Sequence, residues 1–338
     1  MLDLIRSYKE KHPFKRGKMK KFFGALIIAI FCFSAGLQAK TYQISVSQFV
    51  EHPALDAVLK GFQDSLKAQN VDVEYKVHNA QANMGTASQI AKQILGEEPD
   101  LILAIATPTA QACAQALQKA PTNLQRTLLF TAVTDPVSAG LVDSWEKPGK
   151  NITGVSDMLP IKKHMNMLKT FYPNLKKLGV IYNAGEANSK ILVKMIREVG
   201  KDEGFQVVEA TASKSSEVYQ AAKSLVGRAE AVYIPTDNTV VSALESAVKV
   251  GTQNNLPIFA ADVDSVPRGA VAAMGFDYYK HGYQTGYMAK RILQGADPAT
   301  TPVETQDELL LHLNLKSAKD MGVDVPQSLI EKADKVVE

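Results

Sequence analysis

The sequence predicts an α/β protein of two Rossmann-like lobes, each with a parallel sheet, around a central cleft. Three observations carry that prediction. Strand-like and helix-like runs alternate along most of the chain, the order that builds parallel sheets covered on both faces. The alternation breaks at the polar, turn-rich Trp145-Glu146-Lys147-Pro148-Gly149-Lys150-Asn151 and then restarts. Polar residues recur where a strand-like run gives way to a helix-like one, the edge at which open α/β sheets bind ligands.

The first 39 residues read as a leader. Lys15, Arg16, Lys18, Lys20 and Lys21 form a basic region, and Phe22 to Phe33 an apolar one. Ser34 to Ala39 suits cleavage after Ala39. The apolar run is short for a membrane span, which needs about 20 residues. Met19 opens a more typical leader than Met1. Such a signal peptide implies export, to the periplasm. Without it the formal net charge of +3 falls to about −3, and no basic patch argues for nucleic acid. Cys113 is then the one thiol, so no internal disulfide can form. Roughly 300 remaining residues suit two domains.

Tyr42 to Val46 alternates as a strand, and Leu55, Val58, Leu59, Phe62 and Leu66 then recur at helical spacing. Between them lies Ser47-Gln48-Phe49-Val50-Glu51-His52-Pro53, with Pro53 suited to the first turn of the helix. A strand at 71–77, a helix at about 84–96, a buried strand at 101–106, a helix from Pro108 and a strand at 127–131 complete the first unit. After the break come a helix at 160–171, a strand at 178–182, a helix at 188–202 and a strand at 205–210. A helix at 215–226, a strand at 231–234, a helix at 239–251 and strands at 257–260 and 271–274 follow. A helix at about 277–294 is expected to cross back, which makes each lobe discontinuous. The expected division is 41–155 plus about 276–305 for one lobe, and 156–275 plus about 306–338 for the other. The tail reads as two short helices broken by Val325-Pro326.

Nothing in the sequence demands catalysis. No nucleophile elbow, phosphate-binding loop or dinucleotide fingerprint is present. His52, His78, His164, His281 and His312 are scattered, so neither a metal nor a cofactor is expected. Cys113 sits on an apolar helical face and suits a core residue.

The strand ends suit binding instead. Helix N-termini there offer unpaired N–H groups and partial positive charge, a seat for a carboxylate. Thr107 and Thr109, flanking Pro108, are candidate hydroxyl donors. Asp135, Asp157, Glu186, Asp237 and Asp262 are candidate acceptors for an ammonium. Each has an alternative role as a helix cap, favoured for Asp135 before Pro136 and about even for Asp237-Asn238. His52 is equally a ligand donor or a local cap. Phe49 suits either a ligand ring or the core.

The spaced set around Ser47–Asp56, Ala106–Gln111, Ala132–Val137, Asn151–Asp157 and Ile234–Asn238 resembles the ABC-transporter substrate-binding family that includes tryptophan- and tyrosine-type binding proteins. The resemblance runs from about Tyr42 to the C-terminal tail. It implies a type I periplasmic-binding-protein fold, a three-stranded hinge, an aromatic amino acid as ligand, and delivery to membrane permease subunits. It also implies a monomer. The cleft role carries over to Ser47, Gln48, Phe49, His52, Thr107, Pro108, Thr109, Thr134, Asp135, Asp157, Thr236, Asp237 and Asn238; Asn183, Glu186 and Asp262, outside those motifs, join the candidate set by their place near predicted strand ends. Within that set Thr107 and Thr109 are expected to hold the carboxylate, Asp237 or Asp262 the ammonium, and Phe49 the ring. A sensory module reporting ligand to a membrane receptor is the alternative reading. A regulator's ligand-reading half is disfavoured by the leader and the lack of DNA-binding helices, and a secreted hydrolase by the lack of a nucleophile.

Overall fold

The computed structural model describes residues 40–338. The expected leader lies outside them. The first unit runs β1 (Tyr42–Gln48), α1 (Pro53–Ala68), β2 (Val73–Asn79), α2 (Met84–Glu97), β3 (Leu101–Ile105), α3 (Thr107–Lys119), β4 (Thr127–Val133) and β5 (Ile152–Ser156). The second runs α4 (Ile161–Phe171), β6 (Lys177–Tyr182), α5 (Ala187–Glu203), β7 (Gln206–Thr211), α6 (Val218–Ser224), β8 (Ala231–Ile234), α7 (Asn238–Val241), α8 (Leu244–Asn254), β9 (Ile258–Ala260) and β10 (Ala272–Gly275). The last stretch adds α9 (Tyr278–Leu293), β11 (Glu304–Thr305), β12 (Leu310–Asn314), α10 (Leu315–Asp320), α11 (Gln327–Ile330) and β13 (Lys335–Val337).

Two sheets result, with strand orders β11-β5-β4-β3-β1-β2 and β13-β12-β10-β9-β8-β6-β7. Every ladder is parallel except β10 with β12. The central strands are apolar and buried on both faces, as parallel sheets require: β3 is Leu-Ile-Leu-Ala-Ile throughout. One core gathers β1, β3 and β4 against Val58, Phe62, Leu66, Ile90 and Ile94. A second gathers β6, β8 and β9 against Leu168, Leu192, Val193 and Ile196. The chain passes between the sheets after β5, after β10 and after β11.

Four strands escape the sequence reading: β5, β11, β12 and β13. They have two to five residues, too few for a periodicity, and they gain their conformation by pairing with a sheet edge already formed. The predicted helix over 239–251 is two helices, α7 and α8. Ser242 breaks it, because its hydroxyl donates to the Thr239 carbonyl at 2.8 Å and pairs with the Ser215 hydroxyl at 2.9 Å, competing with the helical ladder.

Although α9 follows the second sheet, it packs on α1 of the first lobe, backbone to backbone. A Cβ added at Gly282 would lie 1.9 Å from the Val58 carbonyl oxygen, one at Gly61 2.0 Å from that of Tyr279, and one at Gly286 2.5 Å from the Ser65 Cβ. Gly282→Ala is expected to force the helices apart and cost about 1–3 kcal/mol, the range for overpacking. Gly96→Ala, with nothing within 4 Å of the added carbon, should gain about 0.5–1 kcal/mol through helix propensity. Urea unfolding of the two variants reads both signs, and an undamaged Gly282→Ala protein would contradict the close approach.

Candidate functional site

In each sheet the chain builds one side first and then reverses, so each has a point where neighbouring strands lead to helices on opposite faces. These points fall between β1 and β3 in the first sheet and between β6 and β8 in the second. A cavity between the two lobes collects residues at or after the ends of β1, β4, β6, β8 and β9. His52, Ala54, Leu55, Ala132 and Thr134 come from the first lobe, and Asn188, Thr236, Asp237, Asn238, Val241 and Asp262 from the second. Asp157 and Tyr278, beside two of the chain crossings, complete the wall. The space between the walls is about 340 Å³, part of it open to solvent.

Its first feature is the start of α1. Several helices have a side chain that accepts from a first-turn N–H, as Asn83 does from Thr86 and Asp277 from Lys280. α1 has none: His52 stands at its N-cap without a capping bond, and Pro53 has no N–H to offer. The N–H of Asp56 bonds the His52 carbonyl at 3.0 Å. The N–H groups of Ala54 and Leu55 find no acceptor among the described residues, and both residues line the cavity. A helix of 16 residues thus presents two free donors and its positive end to the cavity.

The second feature is an acidic lining, with the nearby Arg268 set behind it and paired with Glu245. Asp157, Asp237 and Asp262 line the cavity and no Lys or Arg does. Asp157 accepts from the Tyr278 hydroxyl at 2.8 Å and from that of Thr134 at 3.2 Å, and burial raises its pKa. Asp262 accepts from the N–H of Ser265 at 2.9 Å and its hydroxyl at 2.7 Å, and burial again raises its pKa. A carboxylate offers about four lone-pair sites, so both retain capacity for a further donor. His52 is held neutral: burial first, then the charge of Arg268, lowers its pKa to about 3.

Other predicted positions serve the fold. Asp237 caps α7 by accepting from the Val240 N–H at 2.8 Å, and it also accepts from the Asn183 N–H and the Ser189 hydroxyl. Burial and the adjacent Glu186 carboxylate raise its pKa. Glu186 in turn takes the N–H groups of Asn238 and Thr239, and Asn183 bonds the Thr239 hydroxyl at 2.9 Å. Asp237 therefore has little left for an ammonium. Asp135 caps its own turn, accepting from the N–H groups of Val137 and Ser138 at 3.1 Å, and lies outside the cavity. Gln48 donates to Asp56 at 2.7 Å and to the Val50 carbonyl at 3.0 Å. Ser47 and Phe49 are buried in the first lobe and do not line this cavity.

The expected carboxylate seat at Thr107 and Thr109 lies away from this cavity. Neither lines the cavity, and Pro108 lines a separate groove with Met84, Gln111 and Gln125. The Thr109 hydroxyl is consumed by the Ile105 and Ala106 carbonyls, at 2.7 and 3.0 Å. The sequence reading missed Ala54, Leu55, Ala132, Asn188, Val241 and Tyr278. Backbone donors leave no side-chain signature. Asn188, the second residue of a helix at a strand-order reversal, carried a positional signal that was there to use.

Backbone strain gathers at the same strand ends. Ala106 has φ 82° and ψ 153°, a region that side chains avoid, and Ala132 has φ 52°. Ala132 sits at an irregularity in the β4–β5 register, and its N–H donates to His281 Nε2 at 3.1 Å. Burial lowers the His281 pKa to about 4, so the ring stays neutral and can accept.

A family model described as ABC transporter substrate binding protein matches residues 43–337. The chain is 43% identical over 290 residues to the tyrosine-binding protein of Clostridioides difficile (strain R20291), spanning 84% of this chain and 82% of that one. A solved ABC domain from Streptococcus pneumonia in complex with L-Trp is 31% identical, with a TM-score of 0.83 over 88% of this chain and 100% of that one. A substrate binding protein with adhesive properties from Clostridium difficile, solved in its ligand-free, open form, is 40% identical. Its TM-score is 0.64, over 88% of this chain and 99% of that one.

Replacing Ala106 by Gly removes a strained Cβ. The substitution, usually destabilising, is here expected to raise stability by about 1 kcal/mol. An unchanged or lower urea midpoint would show that Ala106 carries no strain.

Proposed function

The chain belongs to the ABC transporter substrate-binding protein family, and from that premise we propose that it captures an aromatic amino acid between its lobes and delivers it to membrane permease subunits. The carrying observation is the pairing, around one cavity, of an uncapped helix N-terminus with buried carboxylates and no Lys or Arg in the lining. That arrangement complements a zwitterion. The ligand carboxylate sits on the N–H groups of Ala54 and Leu55, and its ammonium donates to Asp157 and Asp262. Leu55, Ala132, Val241 and Tyr278 face the ring. Relatives known as a tyrosine-binding protein and as an L-Trp complex support an aromatic side chain.

Capture proceeds by closure of the lobes, with ligand contacts from both sides favouring the closed form. The two structural likenesses support this. The chain resembles the L-Trp complex, at TM-score 0.83, more than the ligand-free open protein, at 0.64, although the open protein is the more similar in sequence. Export to the periplasm through the leader, and action as a monomer, complete the proposal.

The test is thermal unfolding of the purified protein against the twenty amino acids, with sugars and purines as controls. A ligand at a hundredfold excess over Kd stabilises by about 2.7 kcal/mol. Tyrosine or tryptophan is expected to give that shift, and Asp157→Asn to weaken it by at least about tenfold in Kd. A shift with a sugar alone would refute the amino-acid reading.

A further inference from the structure

Asn188 is the second residue of α5, is 4% exposed and lines the interlobe cavity. Its Nδ2 donates to the Thr236 carbonyl oxygen at 2.8 Å and to Glu186 Oε2 at 3.2 Å. Both partners accept and neither can donate. Turning the amide over would set oxygen against oxygen twice, so the polarity of this side chain is locked. The Asn188 Oδ1 is then an acceptor of fixed position, and no donor reaches it among the described residues. The neighbouring groups do not fill the gap, since the Thr236 hydroxyl and His52 Nδ1 are unpartnered as well. Buried polar atoms are almost always paired, so an open acceptor in a cavity wall marks a place where a ligand donates.

The amino-acid head group is already matched elsewhere. Its carboxylate has the Ala54 and Leu55 N–H groups, and its ammonium has two carboxylates with free lone pairs. What Asn188 lacks is one more donor, and on an aromatic amino acid that donor belongs to the ring. Tyrosine carries a phenol O–H and tryptophan an indole N–H, whereas phenylalanine carries neither.

We infer that Asn188 determines specificity by accepting a hydrogen bond from the ligand's ring, so that the cavity selects aromatic amino acids bearing a ring donor over phenylalanine. The inference rests on the amino-acid reading above. Enclosing phenylalanine leaves a desolvated acceptor empty, which should weaken binding by about tenfold or more relative to tyrosine or tryptophan.

Titration calorimetry of tyrosine, tryptophan and phenylalanine with the wild type, Asn188→Leu and Asn188→Ala tests this. The readout is the ratio of phenylalanine to tyrosine Kd within each protein. That ratio cancels any general loosening of α5 from loss of the Nδ2 bonds, and the smaller alanine serves if the leucine variant does not fold. The wild type is expected to show a ratio of about ten or more. The variants should bring it within about threefold of unity, through tighter phenylalanine binding once the empty acceptor is gone and weaker tyrosine and tryptophan binding once their ring donor is unpaired. Equal affinities in the wild type overturn the inference, as does a wild-type ratio that persists in both variants. Binding of none of the three by the wild type overturns the amino-acid reading itself, and this inference with it.

Discussion

α9 lies against α1 with no side chain between the helices at Gly61, Gly282 and Gly286, and the cavity is built outward from that contact. One side of the pair fixes the start of α1, where Ala54 and Leu55 leave their N–H groups free. The adjacent face of α9 carries Tyr278, His281 and Thr285, at spacings that bring them together. Tyr278 donates to Asp157, His281 accepts from Ala132, and Thr285 pairs with the Thr131 hydroxyl at 2.9 Å. Each of those partners is at or beside the end of β4 or β5. One helix therefore sets the positions of both a helix terminus and two strand ends, and does so from residues far along the chain.

The second lobe solves a different problem at its reversal point. Glu186 and Asp237 are buried together without a cation, and hydrogen bonding from backbone and hydroxyl donors makes this tolerable. Glu186 alone accepts from the N–H groups of Asn238 and Thr239, the Thr239 hydroxyl and the amides of Asn188 and Asn238. This network shapes the loop before α7 and leaves little capacity for a ligand. The polar atoms that remain open are Asn188 Oδ1 and the Thr236 hydroxyl, at its border with the cavity. Acidic residues near the site thus divide by how many donors they already hold.

Much of the fold was legible because its signals are local. Alternating periodicities marked the long helices and central strands, and the polar break near 145–151 marked a loop, although the first sheet takes a further strand, β5, just after it. The strands of two to five residues were not, since their conformation comes from pairing partners distant in sequence. At the site, His52, Thr134, Asp157, Thr236, Asn238 and Asp262 were legible as polar residues at strand ends, and all line the cavity. Thr107-Pro108-Thr109 has the same local appearance and does not. The Thr109 hydroxyl is taken by the carbonyls of Ile105 and Ala106, and that of Thr107, though unpartnered, lies away from the cavity. A sequence reports which groups are polar, and the three-dimensional arrangement decides which of them share a wall.

The missing cap on α1 has a consequence for timing. A serine or aspartate at position 52 would satisfy those first-turn N–H groups in every conformation and make the helix more stable. With histidine there, only water or a ligand can satisfy them. In the closure proposed above, a shut but vacant molecule would lose that water and leave donors bare, at about 1–3 kcal/mol for each such group. The missing cap would thereby disfavour the shut form until a ligand arrives, and the local instability of one helix end would act as proofreading for the proposed capture.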